Sequence, residues 1–388
     1  MKKYGKRALR ALIPITLVLR AVLLFRWNEL KRLLAVNTLF SENRIIHNFS
    51  HMKHAFPHRP VSRGNGPVSN FSTTSRLALT LELEEWIADR RVTALVILKE
   101  AKLAYENYYL GTQPNDLRVS WSVAKSFLSA LTGILLEEGA IGSLDDPVVK
   151  YVPILKASAY GQVSLRNVLQ MSSGVLFDEE YRDKNSDINR MGRELALGGA
   201  LDSFAAKLQD RSAEPGEMMQ YVSIDTHVVG MVLRGATGRS IPDLLSDKII
   251  RYLGLEQAPY YITDGEGVAF VLGGLNLTTR DYARFGLMIQ QDGEYGGKQI
   301  VPKSWVRSST AASAKTLPGE DSYGYQWWIA ANNPKEGEFF ARGVYGQYIY
   351  VDRTAKVVIA MNSANRKFLD DGVGEGNIEA LRSIVEML

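Results

Sequence analysis

The 388-residue chain contains no cysteine, which excludes a disulfide, a thiolate metal site and a cysteine nucleophile. Histidine is nearly as scarce. Four of the five crowd into one stretch (His47, His51, His54 and His58), leaving only His227 for everything else. A Ser-His-Asp triad needs a histidine in the folded core, and no G-x-S-x-G elbow occurs anywhere in the chain. His227 follows Tyr221-Val222-Ser223 on a predicted helix, where a packed and paired role suits it better than catalysis. An excess of one charge sign is also missing. The 46 Lys+Arg against 42 Asp+Glu leave +4, part of it in the first thirty-two residues. With no basic stripe interleaved with aromatics, nucleic acid is not an expected partner. Nor is there an unbroken apolar run of the roughly 20 residues that a spanning helix uses. The stretch from Ala11 to Phe25 is interrupted by Pro14 and Arg20.

That interrupted run is preceded by Lys2, Lys3, Lys6, Arg7 and Arg10 and followed by Arg26, Lys31 and Arg32, without a small-x-small cleavage site. Residues 1–28 are therefore expected to form an uncleaved anchor or an interfacial helix, in preference to a signal peptide. Such a segment would associate the protein with a membrane, facing the periplasm rather than the cytoplasm. Residues 29–74 are expected to be a juxtamembrane segment and linker. Glu29 to Val36 is amphipathic, and Pro57 to Asn70 is rich in Pro, Gly, Arg and Ser. His47 and His51, and again His54 and His58, are spaced four apart as metal ligands can be. No carboxylate stands beside them to complete a set, so no metal is expected.

Beyond the linker, a helix is predicted from about Arg76 to Arg90. Two strands follow, Val92 to Leu98 and Lys102 to Leu110, joined by a tight polar turn. The pattern is then mainly helical to about Tyr260. Strand character returns at Tyr325–Ile329, Tyr345–Val351 and Lys356–Asn362, and an amphipathic helix covers Asn377–Leu388. Strands at both ends of the chain that bracket a helical middle predict an α+β fold. Its mainly antiparallel sheet would be flanked by helices and carry an inserted all-helical domain. The expected boundaries are 75–120 and 262–388 for the sheet domain and 121–261 for the helical domain.

The chemistry centres on Ser122-Val123-Ala124-Lys125. Lys125 is the only charged residue between Arg118 and Glu137, within a stretch that reads as a helix capped by Ser120 and stopped by Gly139. Residues three apart share a helix face, so the Ser122 hydroxyl and the Lys125 amine can meet. A lysine in apolar surroundings loses proton affinity, and its neutral form can take a proton from serine. Tyr221-Val222-Ser223 supplies a second candidate. Tyr221 could serve as a base only beside a cation such as Lys125 that favours its phenolate. The third element is Arg342-Gly343-Val344-Tyr345-Gly346, where glycines before a strand let the backbone approach a ligand. An N–H there, paired with the Ser122 N–H, could form an oxyanion hole.

Ser-x-x-Lys, then Tyr-x-Ser about a hundred residues on, then a Gly-rich strand entry, is an order that resembles the penicillin-recognising serine hydrolases. Within them the chain is most similar to the class C β-lactamase-related group that includes 6-aminohexanoate-dimer hydrolases and related esterases. Leu144-Asp145-Asp146-Pro147, Gly273–Gly286 and Tyr323-Gly324-Tyr325-Gln326-Trp327-Trp328 carry the likeness further, over about Leu77 to Leu388. The resemblance implies a β-lactamase/transpeptidase-like fold and an acyl-enzyme on Ser122, with neither metal nor cofactor. It makes Lys125 the partner of the nucleophile and Tyr221 the group that exchanges protons with it and with the leaving group. It also implies an oxyanion hole from the Ser122 and Val344 N–H groups, and substrate contacts from Tyr181, Ser223, Gly343 and Tyr345. Two departures matter. The family's Lys-Thr-Gly is replaced by about Glu338–Gly343, and Ser223 stands where lactamases usually have Asn. Both favour small-molecule esters or linear amides over a D-Ala-D-Ala carboxypeptidase or β-lactamase; a non-catalytic tethered scaffold is the remaining alternative. Arg342 is expected as an exposed strand-end arginine.

Overall fold

The structure is a computed structural model and describes residues 27–331 and 334–388. All but the last two residues of the expected anchor lie outside the described residues. Among those described, no helix is long and apolar enough to cross a membrane.

In chain order the strands are β1 (His58–Pro60), β2 (Val92–Lys99), β3 (Lys102–Tyr108), β4 (Arg118–Val119), β5 (Tyr260–Ile262) and β6 (Leu275–Leu277). After them come β7 (Glu294–Tyr295), β8 (Lys298–Gln299), β9 (Ser322–Tyr323), β10 (Trp328–Ile329), β11 (Glu338–Gly343), β12 (Gln347–Asp352) and β13 (Val357–Ser363). Seven of them build one antiparallel sheet in the order β3-β2-β13-β12-β11-β10-β9. The β2–β3 turn places both Glu100 and Ala101 at positive φ, which matches the right-handed twist of the flanking strands.

Alternation along each strand sends side chains to opposite faces, and both faces are covered. Leu95, Ile97, Phe340, Tyr348 and Ile359 pack against Leu83 and Ile87 of helix Leu81–Asp89 and against Ile378, Leu381 and Ile384 of helix Val373–Glu386. Val96, Leu98, Phe339, Ile349 and Val358 face the main core with Phe285 and Phe127. This double coverage is why the central strands read as continuous apolar runs. Between β4 and β5 the described residues contain helices and no strand.

Several local expectations give way. Ser120 is not a side-chain cap: it is already helical, and a 3-10 turn (Trp121–Val123) precedes helix Ala124–Glu137. Of the run Tyr325–Ile329 only Trp328–Ile329 is strand, because Gln326 takes φ +63° and turns inward. A second sheet, ordered β1-β5-β6-β4, had no clear sequence signal because its strands are two or three residues long.

The largest correction concerns residues 29–74. Ile45, Phe49 and Met52 are fully buried in the main core, and β1 pairs with β5. The buried Arg118 guanidinium donates to Ile46 O (2.8 Å), Ser50 Oγ (2.7 Å) and Thr93 Oγ1 (3.1 Å), and so stitches this segment to β2 and β4. Much of the segment is therefore packed into the fold rather than forming a free linker. Its histidines stack at the surface (His47 on His51 at 3.9 Å between ring centres), and no metal-competent cluster occurs among the described residues.

Candidate active site

Helix Ala124–Glu137 is almost wholly buried, so Lys125, in its first turn, enters a dry interior and is only 1% exposed. Its Nζ donates to Ser223 Oγ (3.3 Å) and to Leu272 O (3.2 Å). A neutral amine has two N–H bonds and one lone pair, so those two acceptors leave the lone pair as its unused position. Burial lowers the Lys125 pKa to about 7, opposed by the nearby Glu179 and Asp225 carboxylates.

Tyr221 lies just before helix Ser223–Thr237 and stacks on Trp328 at 5.3 Å, with the Lys125 amine 5.4 Å from its ring centre. Burial, reinforced by Glu179, pushes its phenol well above the ordinary value; hydrogen bonding with Ser122 works weakly the other way. The two shifts run in opposite directions, toward a neutral Lys125 amine and away from a Tyr221 phenolate.

Glu179 organises the group, and the sequence did not single it out. Its carboxylate accepts from Ser223 N (3.0 Å) and Ser223 Oγ (2.5 Å) at the start of a helix, where the helix dipole favours negative charge. It also accepts from Tyr181 OH (2.7 Å). Nothing in Asp178-Glu179-Glu180 marks the middle carboxylate as the inward one. Asp225 is a fully buried carboxylate nearby, held by Tyr160 OH at 2.7 Å and raised by burial to about 7.

Opposite, Gly343 ends β11 and packs against the turn that carries the serine. A Cβ there would stand 3.0 Å from Ser122 N and 2.8 Å from Ser120 O, so only glycine fits this approach. Gln347 Nε2 donates to Val344 O (3.2 Å) and to Ser363 O (2.8 Å), fixing the turn that follows. Trp121, next to the serine, has φ +43°, a conformation that costs a bulky residue on the order of 1–3 kcal/mol. A cage of Phe40, Phe49 and Tyr345 rings holds it there.

Ser122 and Val344 line two clefts, of about 360 Å³ and about 350 Å³. Tyr181 borders both, Ser223 and Tyr345 border the first, and Tyr221 and Gly343 border the second. These expected residues thus share the two clefts, while Lys125 lines neither and reaches the site through Ser223. Arg342 is not the exposed residue expected: it lies 4.3 Å over Trp328, bonds Asp321 at 3.2 Å and lines the second cleft. His227 is buried and paired through Nε2 with Asp202 Oδ1 at 2.8 Å, and it lines neither cleft.

An antiparallel sheet backed by helices, with Ser-x-x-Lys packed against the end of β11, defines a β-lactamase-fold serine hydrolase, a class that includes amide hydrolases and esterases. The chain belongs to the beta-lactamase family, whose model matches residues 83–380. The 6-aminohexanoate-dimer hydrolase of Paenarthrobacter ureafaciens is 28% identical over 347 residues, spanning 84% of this chain and 88% of that protein. A Bacillus anthracis structure described as a candidate 6-aminohexanoate-dimer hydrolase superposes with a TM-score of 0.79 at 26% identity. It covers 89% of this chain and 95% of its own. EstCE1, described as a hydrolase with promiscuous acyltransferase activity, shares the fold at a TM-score of 0.63 and 16% identity, over 78% of this chain and 96% of that one. The protein is an enzyme of the hydrolase class.

Proposed function

We propose that the protein cleaves carboxylic esters or small linear amides through an acyl-enzyme on Ser122. The observation that carries this reading is Lys125: a buried amine with a pKa of about 7, three residues after Ser122 and held by two acceptors. Its lone pair takes the Ser122 proton, and Oγ attacks the carbonyl carbon. The oxyanion accepts from the Ser122 and Val344 N–H groups. As the intermediate collapses, Tyr221 donates its proton to the departing alcohol or amine and is reprotonated from the Lys125 ammonium. Water then attacks the acyl carbon, its proton returns through Lys125, and Ser122 is restored. No step calls for a metal or cofactor.

Esters and simple amides are favoured over peptidoglycan because β11 offers Glu338–Gly343 in place of Lys-Thr-Gly, and its one cation, Arg342, is already bonded to Asp321. The name of the Paenarthrobacter relative points toward a small substrate as well. The test is intact mass after a fluorophosphonate and, separately, penicillin, on wild type and Ser122→Ala. Fluorophosphonate labelling that disappears in the variant is the expected outcome. A stable penicillin adduct would favour the carboxypeptidase or β-lactamase reading. No adduct from either reagent would favour a non-catalytic scaffold.

A further inference from the structure

Two clefts meet at Ser122 and share Tyr181 and Phe368, and only one of them is bordered by Tyr221. The cleft of about 350 Å³ is bordered by Tyr221, Arg342, Tyr348 and Asn377. Because Tyr221 protonates the leaving group in the reading above, that cleft is the leaving-group side. The cleft of about 360 Å³ is walled mainly by Phe40, Trp121, Met191, Phe270, Leu272 and Phe368. Two arginines reach its rim, and both are engaged: Arg182 with Asp370 at 2.8 Å and Arg366 with Glu42 at 3.6 Å. Its volume falls at the lower end for cavities that enclose a small organic molecule.

One wall of this apolar cleft comes from outside residues 83–380, the stretch that defines the family. Phe40 reaches it from the segment after helix Trp27–Asn37. Its ring stacks on Tyr345 (5.2 Å, 12°) and leans on Trp121 (5.9 Å) and Phe49 (6.4 Å). The turn that carries it is pinned by Asn48 Nδ2, which donates to Thr38 O (2.9 Å) and Leu39 O (3.1 Å). Yet Phe40 is 40% exposed, an apolar ring held in place with a face left uncovered. A preorganised ring of this kind binds without an ordering cost.

We infer that Phe40 is a specificity-determining residue and that the enzyme takes substrates with an apolar acyl group, an aliphatic chain or an aryl ring, seated between Phe40 and Phe368. The inference rests on the acyl-enzyme reading for its direction and on the cavity itself for its chemistry.

The test has two arms. In the first, kcat/KM is measured on 4-nitrophenyl acetate, butanoate, hexanoate and octanoate, and on acetate esters of alcohols of the same lengths. Wild type should gain at least about tenfold from acetate to octanoate on the acyl side, the scale expected for burying several methylenes, and less on the alcohol side. Phe40→Ala should reduce the octanoate-to-acetate ratio by about tenfold, and Phe40→Leu should keep most of it. In the second arm, octanoate binding to Ser122→Ala is followed by calorimetry, alone and combined with Phe40→Ala. This arm needs no turnover, so it separates a wrong pocket from a wrong mechanism. Sub-millimolar binding weakened by Phe40→Ala supports the inference. A flat acyl series, a ratio indifferent to Phe40, or no octanoate binding overturns it.

Discussion

Gly343 and Ser122 meet through their backbones: a Cβ on Gly343 would lie 3.0 Å from the Ser122 amide nitrogen. The contact brings the end of β11 against the turn that carries the serine, and so sets the spacing between the Ser122 and Val344 N–H groups. Gly343→Ala must push the two apart. Loss of one oxyanion donor typically costs about 10²–10³ in kcat, while overpacking costs about 1–3 kcal/mol of stability. A loss of kcat of that size, with Tm only modestly lowered, is expected from ester kinetics and thermal melts. Unchanged kcat would remove β11 from the oxyanion site.

The base role proposed for Lys125 predicts an activity that depends on pH. With its pKa near 7, kcat/KM should rise with pH along a limb centred near 7 and then level off. Glu179 and Asp225 each raise that pKa, so Glu179→Gln and Asp225→Asn should move the limb to lower pH. Lys125→Ala should leave less than about a tenth of activity, since losing a general base typically costs more. Stability carries the same signature. Between about pH 7 and 10 the unfolded chain holds the Lys125 proton more often than the folded one, so stability rises with pH across that window. Lys125→Met should flatten that rise in denaturant titrations.

Tyr221 is separable from Lys125 by leaving group. A 4-nitrophenolate departs without a proton, whereas an alkyl alcohol or amine needs one. Tyr221→Phe should therefore lower hydrolysis of alkyl esters and amides by about 10²–10⁴, and hydrolysis of nitrophenyl esters by much less. Equal losses across the series would assign Tyr221 to positioning alone.

The stretch from Leu39 to Phe56 is structural. Phe49 is fully buried among Phe40, Trp121 and Tyr345. Phe49→Ala should cost about 3–5 kcal/mol, read as a lower denaturation midpoint. A chain starting at residue 58 should fail to fold, because it loses Ile45, Phe49 and Met52 and strands the buried Arg118. A soluble, active truncated chain would contradict the packing described here.

Much of the motif likeness proves to be scaffolding. Asp281 in Thr279-Arg280-Asp281 pairs with buried Arg284 at 2.6 Å, and Arg284 bonds Ser69 O, which ties down the Pro-Gly-rich stretch. Asp145 and Asp146 bond Arg166 and Tyr151. Gln326 of the Tyr-Gly-Tyr-Gln-Trp-Trp run has its main-chain oxygen bonded by Ser126 and its side chain by Thr226, joining the two helices that carry the site. Such residues brace the elements that carry the site and line neither cleft at Ser122.

The sequence alone made Ser122 and Lys125 candidates, because residues three apart on a helix share a face whatever surrounds them, and it placed the β2–β3 hairpin as two strand-like runs joined by a tight turn. Those relationships are local. The lowered proton affinity of Lys125 is not, since it is produced by everything packed around the amine, including Ser223 98 residues away and Leu272 147 away. Which carboxylate of Asp178-Glu179-Glu180 faces inward, and that Phe40 walls a cleft beside Ser122, were decided only when distant segments met. Desolvation and cavity shape are sums over contacts in space, and contacts separated by tens to hundreds of residues leave no periodicity to read.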